Sequence, residues 1–511
     1  MTKKSLMLLA LPAMILASCG TKESSSPASS TSKPNTTSST STSETYVPKI
    51  TTDTTIDIWS IIGKSNQVPF EKYIAAFEKL EPHVKINSTY QSTSYNGLKD
   101  MVVKGFPANN YPDLVQCYPD HVAEYLDYGK VVNLDTYIND ATNGWTAADK
   151  ADIIQAYQDE GTGYVADGTY SVPFCKSTEA MYYNADVLIG LDLSSVDNTI
   201  NGGKALTETY LNNLTWEELF NKLCPAIVTY NNSLTAEKKI IKDFAPGTTG
   251  SGVFAYDSDD NLFITLAEQY GLKYTSIDKT SGTGRFDAFE KTTDADKTNR
   301  TALENVLKTF RTAAENGYII SKGSSENNYT NTYFTKQNTL FSVGSTGGVS
   351  YQYTDNFATG VAKIPHAKGH DQAVISQGPS LCMLDHNDSN KKLASWLFYK
   401  YMTNTDNATD WAVNTGYSAI RSSCYDTDAY ADYSDTTASD KGSKDWLMAN
   451  NASYVPKVTN DFFLSPAFKG SSTARTQAAA IMVKVLVTKS NDITKIDTWF
   501  DDALAACKLA A

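Results

Sequence analysis

Hydrophobic and polar positions alternate along the chain in blocks that predict strands and helices in turn. Residues 55–59 (TIDIW) follow the two-residue period of a half-buried strand. Residues 69–80 (PFEKYIAAFEKL) repeat apolar positions every three or four residues, as one helix face does, and Pro69 fits a first-turn position. The alternation continues through two further strands and two further helices, at 84–87, 95–105, 113–118 and 121–129. This order predicts an α/β fold with a mainly parallel sheet flanked by helices, because parallel strands need a crossover between them.

The second half of the chain contains more helical patterns than clear strands. Its amphipathic segments lie at 261–272, 301–317 and 391–402. The acidic run at 426–440 (DTDAYADYSDTTASD) indicates a solvated loop or an insertion. The folded part, from Thr54 to about Lys508, is longer than one hydrophobic core usually supports, so we expect two lobes.

The N-terminus has the pattern of an export signal. Lys3 and Lys4 precede the uncharged run 6–16 (LMLLALPAMIL), which is shorter than the roughly 20 residues that span a bilayer. The run ends in LASCG, which resembles a bacterial lipobox with Cys19 as the residue that receives the lipid. An ordinary signal peptide that ends near a cysteine is the alternative. Of the 26 residues at 21–46, 17 are Ser or Thr, which predicts a flexible tether after that cysteine.

Charge and cysteine content limit the function classes further. The chain has 44 basic and 57 acidic residues, a formal net charge of −13, and its acids are spread along the sequence. No surface for nucleic acid is therefore expected. The other cysteines are scattered singly and are interpreted as small buried apolar residues, although export would permit a disulfide. They stand at positions 117, 175, 224, 382, 424 and 507.

Two motifs point to metal ions, and neither is complete. His366 and His370 have the spacing of zinc ligands on a helix, but a neighbouring proline and glycine favour a loop, and no third ligand is evident. Residues 257–268 place acids at EF-hand positions, but Leu262 stands where that loop needs glycine, and an acidic helix N-terminus explains the acids more simply. No hydrolase or phosphate-loop motif is present, and no two carboxylates are paired as in glycosidases. We expect no metal, no cofactor and no enzymatic activity.

Segments from Thr54 onward carry a resemblance to a known family. The first runs from TIDIWS through PFEKYIAAFEKLEPHVKI to YPDLVQCYPDHVAEYLDYGKVVNL. The others are GTYSVPFCKSTEAMYYNADVL at 168–188, LTWEELFNKL at 214–223, NTYFTKQNTLFSVGSTGGV at 331–349, ISQGPSLCML at 375–384 and WAVNTGYSAIRSS at 411–423. In this order they resemble the family 1 extracellular solute-binding proteins of ABC importers. Within that family they are most similar to the glycerol-3-phosphate-binding type.

The resemblance implies a two-lobed periplasmic-binding-protein-like clamp of type II, each lobe a mainly parallel sheet flanked by helices. Hinge crossings are expected near Lys176–Thr178, Ala362–Pro365 and Gln377–Ser380. The expected divisions are a signal peptide at 1–18, a tether at 19–53, lobe 1 at 54–176 plus 361–378, and lobe 2 at 177–360 plus 379–511.

The resemblance also implies a set of ligand contacts. The family's glutamate after a tyrosine falls on Pro119 here, and the adjacent Asp120 is the expected substitute. Arg475, aligned across a gap, would face a phosphate. The full expected set is Tyr95, Asp120, Ser177, Ser345, Gly378, Tyr417 and Arg475. Without the resemblance, the loop GSTGG at 344–348 fits an anion-binding loop and a simple turn equally well, whereas Arg475 would be interpreted as a surface ion pair and the tyrosines as ordinary packing.

The expected function is therefore solute capture for an ABC importer. The chain would be a monomeric lipoprotein, held by lipid on the extracellular or periplasmic face of the cell membrane. It would bind a sugar, glycerol-3-phosphate or a related solute and deliver it to permease subunits coupled to an ATPase. A secreted carbohydrate-active hydrolase and an adhesion or scaffold lipoprotein are the alternatives.

Overall fold

The computed structural model describes residues 46–91 and 94–511, so the expected signal peptide, Cys19 and most of the tether lie outside the described residues. The described residues contain fourteen strands. These strands are β1 (Thr54–Ser60), β2 (Val84–Tyr90), β3 (Leu114–Cys117), β4 (Val172–Pro173), β5 (Glu179–Asn184), β6 (Phe254–Tyr256), β7 (Ser276–Asp278), β8 (Thr283–Arg285), β9 (Ile319–Ser321), β10 (Phe341–Ser345), β11 (Thr359–Ala362), β12 (Val374–Ile375), β13 (Ser380–Met383) and β14 (Phe462–Phe463).

The α-helices of the same residues cover the sheets and connect their strands. They are α1 (Lys64–Leu80), α2 (Tyr95–Gly105), α3 (Pro119–Leu126), α4 (Asp135–Ile138), α5 (Ala147–Asp152), α6 (Gln155–Thr162), α7 (Ala185–Leu188), α8 (Glu208–Asn212), α9 (Trp216–Glu218), α10 (Cys224–Ser233), α11 (Asp259–Gln269), α12 (Asp294–Glu315), α13 (Asn331–Phe334), α14 (Ser389–Met402), α15 (Thr405–Thr415), α16 (Asp428–Ser434), α17 (Lys444–Tyr454), α18 (Ser471–Val487) and α19 (Ile496–Ala510). None of the described helices is long and apolar enough to cross a membrane.

The first five-stranded sheet has the order β2-β1-β3-β13-β4. β1 runs parallel to β2 and β3, whereas β13 is antiparallel to both β3 and β4. Helices α1 and α14 cover this sheet, where Phe77 packs edge-on against Phe398 with ring centroids 5.3 Å apart. The predicted apolar face of α1 is buried, but the helix begins at Lys64, so Pro69 lies inside it rather than in its first turn.

The second five-stranded sheet has the order β11-β5-β10-β6-β9. β5 is antiparallel to β10 and β11, while β6 is parallel to β10 and β9. Every residue of β5 is buried, and the helices α11 and α18 pack on each other beside this sheet. Both sheets are thus mixed rather than mainly parallel, because the strands next to the chain crossings return in the opposite direction. The expected α/β fold with two sheet-centred lobes is confirmed.

Three segments of the chain meet where it passes between the two sheets. Ser177 and Gln377 exchange backbone hydrogen bonds of 2.8 and 3.0 Å, and Ser418 N donates to Lys176 O at 2.7 Å. Two of these segments coincide with expected hinges, and the third, at Tyr417 and Ser418, was not predicted. The expected crossing at Ala362–Pro365 is wrong, because the next residue, His366, still pairs with Thr215 on the side of the second sheet.

Three further expectations need correction. The strand at 380–383, expected in lobe 2, pairs with β3 in the first sheet, and β11, whose last two residues were expected in lobe 1, lies in the second. The expected tether ends earlier than residue 53, because Ile50 is 2% exposed and its N–H donates to the Glu81 carboxylate at 3.0 Å. The acidic run at 426–440 is not simply a solvated loop, since it contains α16, whose Tyr430 is buried.

Candidate functional site

A cavity of about 630 Å³ opens beside the crossing segments, between helices that follow strands of the two sheets. α2 and α3, which follow β2 and β3, provide its wall on the side of the first sheet. α11, which follows β6, and α18 provide the opposite wall. Ligands of open α/β sheets bind at these carboxyl ends of strands, so the position of the cavity fits a binding site.

One end of the cavity is aromatic. Ser94 caps α2 by accepting a hydrogen bond from Gly97 N at 3.0 Å, which places Tyr95 in the first helical turn. The Tyr95 ring meets the ring of Tyr118 edge-on, with centroids 4.7 Å apart, and its hydroxyl shares a hydrogen bond with that of Tyr417. Burial raises the pKa of all three tyrosines well above the usual value. All three therefore stay neutral at physiological pH, and the two that line the cavity, Tyr95 and Tyr118, offer aromatic and hydroxyl groups to a solute.

The other end of the cavity is charged. Arg475 on α18 donates through Nη2 to Asp260 Oδ2 at 2.7 Å and to Asn261 Oδ1 at 2.6 Å, both in the first turn of α11. Burial alone would raise the pKa of Asp260, but the charge of Arg475 and the hydrogen bonds from Ser258, Arg475 and the Asn261 backbone together outweigh it and hold that pKa below the usual value. Asp120, in the first turn of α3, adds to the negative field that acts on the guanidinium. This end of the cavity can therefore both donate hydrogen bonds to the hydroxyl groups of a solute and accept hydrogen bonds from them.

Three hydroxyl groups in the cavity wall have no hydrogen-bond partner among the described residues. They are Tyr274 Oη, Thr275 Oγ1 and Ser376 Oγ. A buried hydroxyl without a partner carries a desolvation cost. A polyhydroxylated solute that reached these groups would remove that cost.

The structure brings together three of the seven expected contact residues at this cavity, namely Tyr95, Asp120 and Arg475. Tyr417 does not line it but touches Tyr95. Ser177 and Ser345 lie beyond Tyr417 and are joined by a hydrogen bond of 3.3 Å from Ser345 Oγ to Ser177 Oγ.

Gly378 and the loop GSTGG have evident packing roles. A Cβ at Gly378, whose φ is +92°, would lie 2.2 Å from the carbonyl oxygen of Cys175, so only glycine lets the two crossing segments approach. Its own carbonyl already accepts a hydrogen bond from Lys176 Nζ at 2.8 Å. A Cβ at Gly347 would lie 3.0 Å from the ring of Tyr417. The expected ligand contacts at these glycines stay predictions.

A buried ion pair at the crossing is a functional feature that the sequence did not indicate. Lys176 is fully buried, and its Nζ lies 2.8 and 2.7 Å from the two carboxylate oxygens of Glu160. Ser380 Oγ also donates to Glu160, at 2.7 Å. The pair therefore ties α6 to two of the crossing segments, and Glu160 also lines the cavity.

A second buried network connects the charged end of the cavity to the crossing. Asn261 Nδ2 donates to Glu179 Oε1 at 2.9 Å and to Gln377 Oε1 at 2.8 Å. Burial raises the pKa of Glu179 to about 7, although Tyr256 and Asn261 donate hydrogen bonds to it. Asp260 and Asn261 lie in the acidic helix start that the sequence showed, but a single sequence does not reveal that this start faces Arg475.

The acids of the EF-hand-like segment at 257–268 have hydrogen-bond partners within the protein. Asp259 accepts from Gly323 N at 2.8 Å, and Asp257 accepts from Thr330 N at 3.1 Å. Within residues 46–91 and 94–511, no group of three or more His, Cys, Asp or Glu side chains is placed to hold a metal ion. The six cysteines of these residues are all buried and form no disulfide with one another.

Comparison with known proteins agrees with this architecture. UgpB from Mycobacterium tuberculosis, solved in complex with glycerophosphocholine, matches with a TM-score of 0.62 and 16% sequence identity, over 89% of this chain and 98% of that one. The sugar-binding protein MalE from Xanthomonas citri matches over the same shares with a TM-score of 0.61 and 16% identity. The cyclic α-maltosyl-1,6-maltose binding protein from Arthrobacter globiformis matches with a TM-score of 0.60 and 16% sequence identity, over 89% of this chain and 98% of that one. At this identity the likeness concerns the fold, and no curated protein sequence matches the chain.

A family model identifies the chain more directly than these structures do. The model described as "Bacterial extracellular solute-binding protein" matches residues 72–438, which is more than half of the sequence. This family consists of binding proteins rather than enzymes. The chain therefore belongs to the bacterial extracellular solute-binding proteins.

Proposed function

We propose that this protein captures a small polyhydroxylated solute, a carbohydrate or a polyol phosphate, and delivers it to the permease subunits of an ABC importer. The observation that carries the proposal is the cavity of about 630 Å³ between helices of the two sheets, next to the crossing segments. A solute in this position contacts both lobes at once. Its affinity is then higher for the closed arrangement, which is the requirement for ligand-driven closure.

The chemistry of the cavity supports a hydroxylated solute. Tyr95 and Tyr118 offer aromatic faces for sugar or chain carbons, while Asp120 and Arg475 offer an acceptor and donors. The structural neighbours named above were solved as proteins that bind glycerophosphocholine or sugars, which supports the same classes of solute.

Membrane attachment is part of the proposal and depends on the sequence alone. The basic start, the apolar run and the LASCG segment support lipidation at Cys19. The Ser/Thr-rich stretch that follows would let the folded part reach a permease nearby.

The test is a binding screen on the full-length chain in a detergent without a sugar headgroup. Thermal unfolding is followed with maltooligosaccharides, glycerol, glycerol 3-phosphate and glycerophosphocholine, and any hit is titrated by calorimetry. A bound solute at a hundred times its Kd stabilises the protein by about 2.7 kcal/mol. A Tyr95→Ala variant serves as the site control.

Two results would contradict the proposal. Release of hydrolysed sugar that is abolished by mutation of an acidic residue would identify a hydrolase. No stabilisation by any solute of the panel or of a wider polyol screen would favour an adhesion or scaffold role.

A further inference from the structure

Arg475 lines the cavity, and two residues at the start of α11 hold its guanidinium in place. Its Nη2 group donates to both Asp260 and Asn261, at 2.7 and 2.6 Å. Asn261 is itself held by Glu179 and Gln377 and is 3% exposed. To leave the carboxylate of Asp260, the guanidinium would also have to give up its hydrogen bond to the buried Asn261.

The remaining charges in the cavity leave no excess of positive charge. Glu160 is neutralised by the buried Lys176 behind the wall, and Asp260 is neutralised by Arg475. Asp120 and Lys322 are the other two charged groups of the lining. Lys322 Nζ lies 3.6 Å from the ring centroid of Tyr329, so it already has a favourable partner.

The neighbouring histidine does not change this balance. Burial lowers the pKa of His121, so its ring is neutral at pH 7, and its Nε2 lies 3.1 Å from Asn96 Oδ1. A phosphate group with nearly two negative charges would thus meet the carboxylates of Asp120 and Asp260, against one guanidinium that Asp260 already neutralises and the Lys322 ammonium that lies over the ring of Tyr329. Uncharged hydroxyl groups meet no such repulsion.

On the basis of the proposed function, we propose that Asp260 is the residue that sets the charge selectivity of the site. By holding and neutralising Arg475, it makes the cavity accept uncharged polyhydroxylated solutes and reject phosphate esters. The sequence resemblance implied the opposite role for Arg475, that of facing a phosphate. The structure assigns selectivity to the ion pair rather than to the arginine alone, because a solute meets the net charge of Arg475 and Asp260 together.

The experiment measures phosphate binding to the full-length chain in phosphate-free buffer at low ionic strength. Inorganic phosphate and glycerol 3-phosphate are the probes, titrated by calorimetry into the wild type, into Asp260→Asn and into the double variant Asp260→Asn/Arg475→Gln. Asp260→Asn keeps the size of the side chain and its acceptor oxygen but removes the charge. We expect the wild type to bind both probes with a Kd no tighter than about 1 mM and Asp260→Asn to gain at least about tenfold. The double variant should lose this gain, because the gain requires the freed guanidinium.

Asp127→Asn is the matched control. Asp127 is half-exposed and lies outside this cavity, so the substitution removes the same charge from the protein without freeing a cation of the site. It should bind phosphate as the wild type does. An equal gain in this variant would show a general charge effect and overturn the proposal.

Three other results would also overturn it. These are micromolar binding of glycerol 3-phosphate by the wild type, an unchanged Kd in a folded Asp260→Asn variant, and a gain that survives in the double variant. Even if a variant does not fold, the Kd of the wild type for glycerol 3-phosphate still tests the proposal. These outcomes differ from failure of the proposed function, which would be the absence of stabilisation by any solute of the panel or of the wider polyol screen.

Discussion

Glu179 carries a carboxyl group whose protonation should change the stability of the protein near neutral pH. It is 1% exposed, and burial raises its pKa from the ordinary 4.5 to about 7. Its partners, Tyr256 and Asn261, favour the ionised form but do not offset the burial. Replacing it by Gln keeps the shape and removes the titration, so a comparison of Glu179→Gln with the wild type isolates this one group.

The sign and size of the effect follow from the two pKa values. Between about pH 4.5 and 7 the folded protein holds the proton more tightly than the unfolded chain does, so the contribution of Glu179 to stability is present at low pH and lost as pH rises. At about 1.4 kcal/mol for each tenfold difference in proton affinity, the loss amounts to about 3 kcal/mol. We therefore expect the wild type to gain stability relative to Glu179→Gln when the pH falls from about 8 to about 5.

The measurement is urea unfolding of both proteins between pH 5 and 8, followed by far-ultraviolet circular dichroism. The difference in unfolding free energy should change by roughly 2–3 kcal/mol over this range, most steeply near about pH 5.5 to 6, midway between the two pKa values. Glu78→Gln, at a partly exposed ion pair with Lys85, is a control that should show no such change. A difference between wild type and Glu179→Gln that is independent of pH would refute the reasoning.

Three further changes test other parts of the molecule. Lys176→Met leaves Glu160 charged and buried, so it should destabilise the protein by about 3–5 kcal/mol in urea unfolding. The double variant Glu160→Gln/Lys176→Met should recover part of that loss. If it recovers none, the destabilisation does not come from breaking the ion pair. Tyr95→Ala should weaken binding of an identified solute at least about tenfold, whereas Tyr95→Phe, which keeps the ring, should lose less; equal losses would contradict a role for the aromatic face. Cys19→Ala should move the protein from the membrane fraction to the medium or periplasm, and unchanged membrane attachment would exclude lipidation at that residue.

The first lobe was the part of the fold that the sequence predicted best. The alternating run at 55–59 and the helical face of Phe70, Ile74 and Phe77 are local patterns, and the structure contains both. The start of α1 was misplaced because Pro69 fits the first turn of a helix equally well, and the residues before it, KSNQ at 64–67, carry no apolar position. Local patterns define an element more reliably than its ends.

Strand membership could not be read in the same way. The run at 380–383 is apolar and buried, but a short buried strand carries no information on which sheet it joins. Its partners, β3 and β4, are separated from it by more than 200 residues. The directions of the strands beside the crossings, which make both sheets mixed, cannot be predicted either, because the partner strands are also far away in the sequence.

The candidate site was predicted in part. The family resemblance pointed to Tyr95, Asp120 and Arg475, which do meet at one cavity. It did not reveal Asp260 or Glu160, because a charged residue in a single sequence gives no sign of its partner. Lys176 stood at an expected crossing, yet its burial depends on a carboxylate 16 positions away that only the folded chain brings close.

The place of β13 between β3 and β4 has a consequence for biosynthesis. β4 has β13 as its neighbour in the first sheet, so a nascent chain that ends before residue 380 presents β4 without a partner and β3 with one open edge. The first sheet therefore cannot be completed until residues 380–383 have been made, after all five strands of the second sheet. A chain of this topology depends on protection of its exposed strand edges during synthesis and translocation, and neither lobe is expected to survive as a separate recombinant fragment.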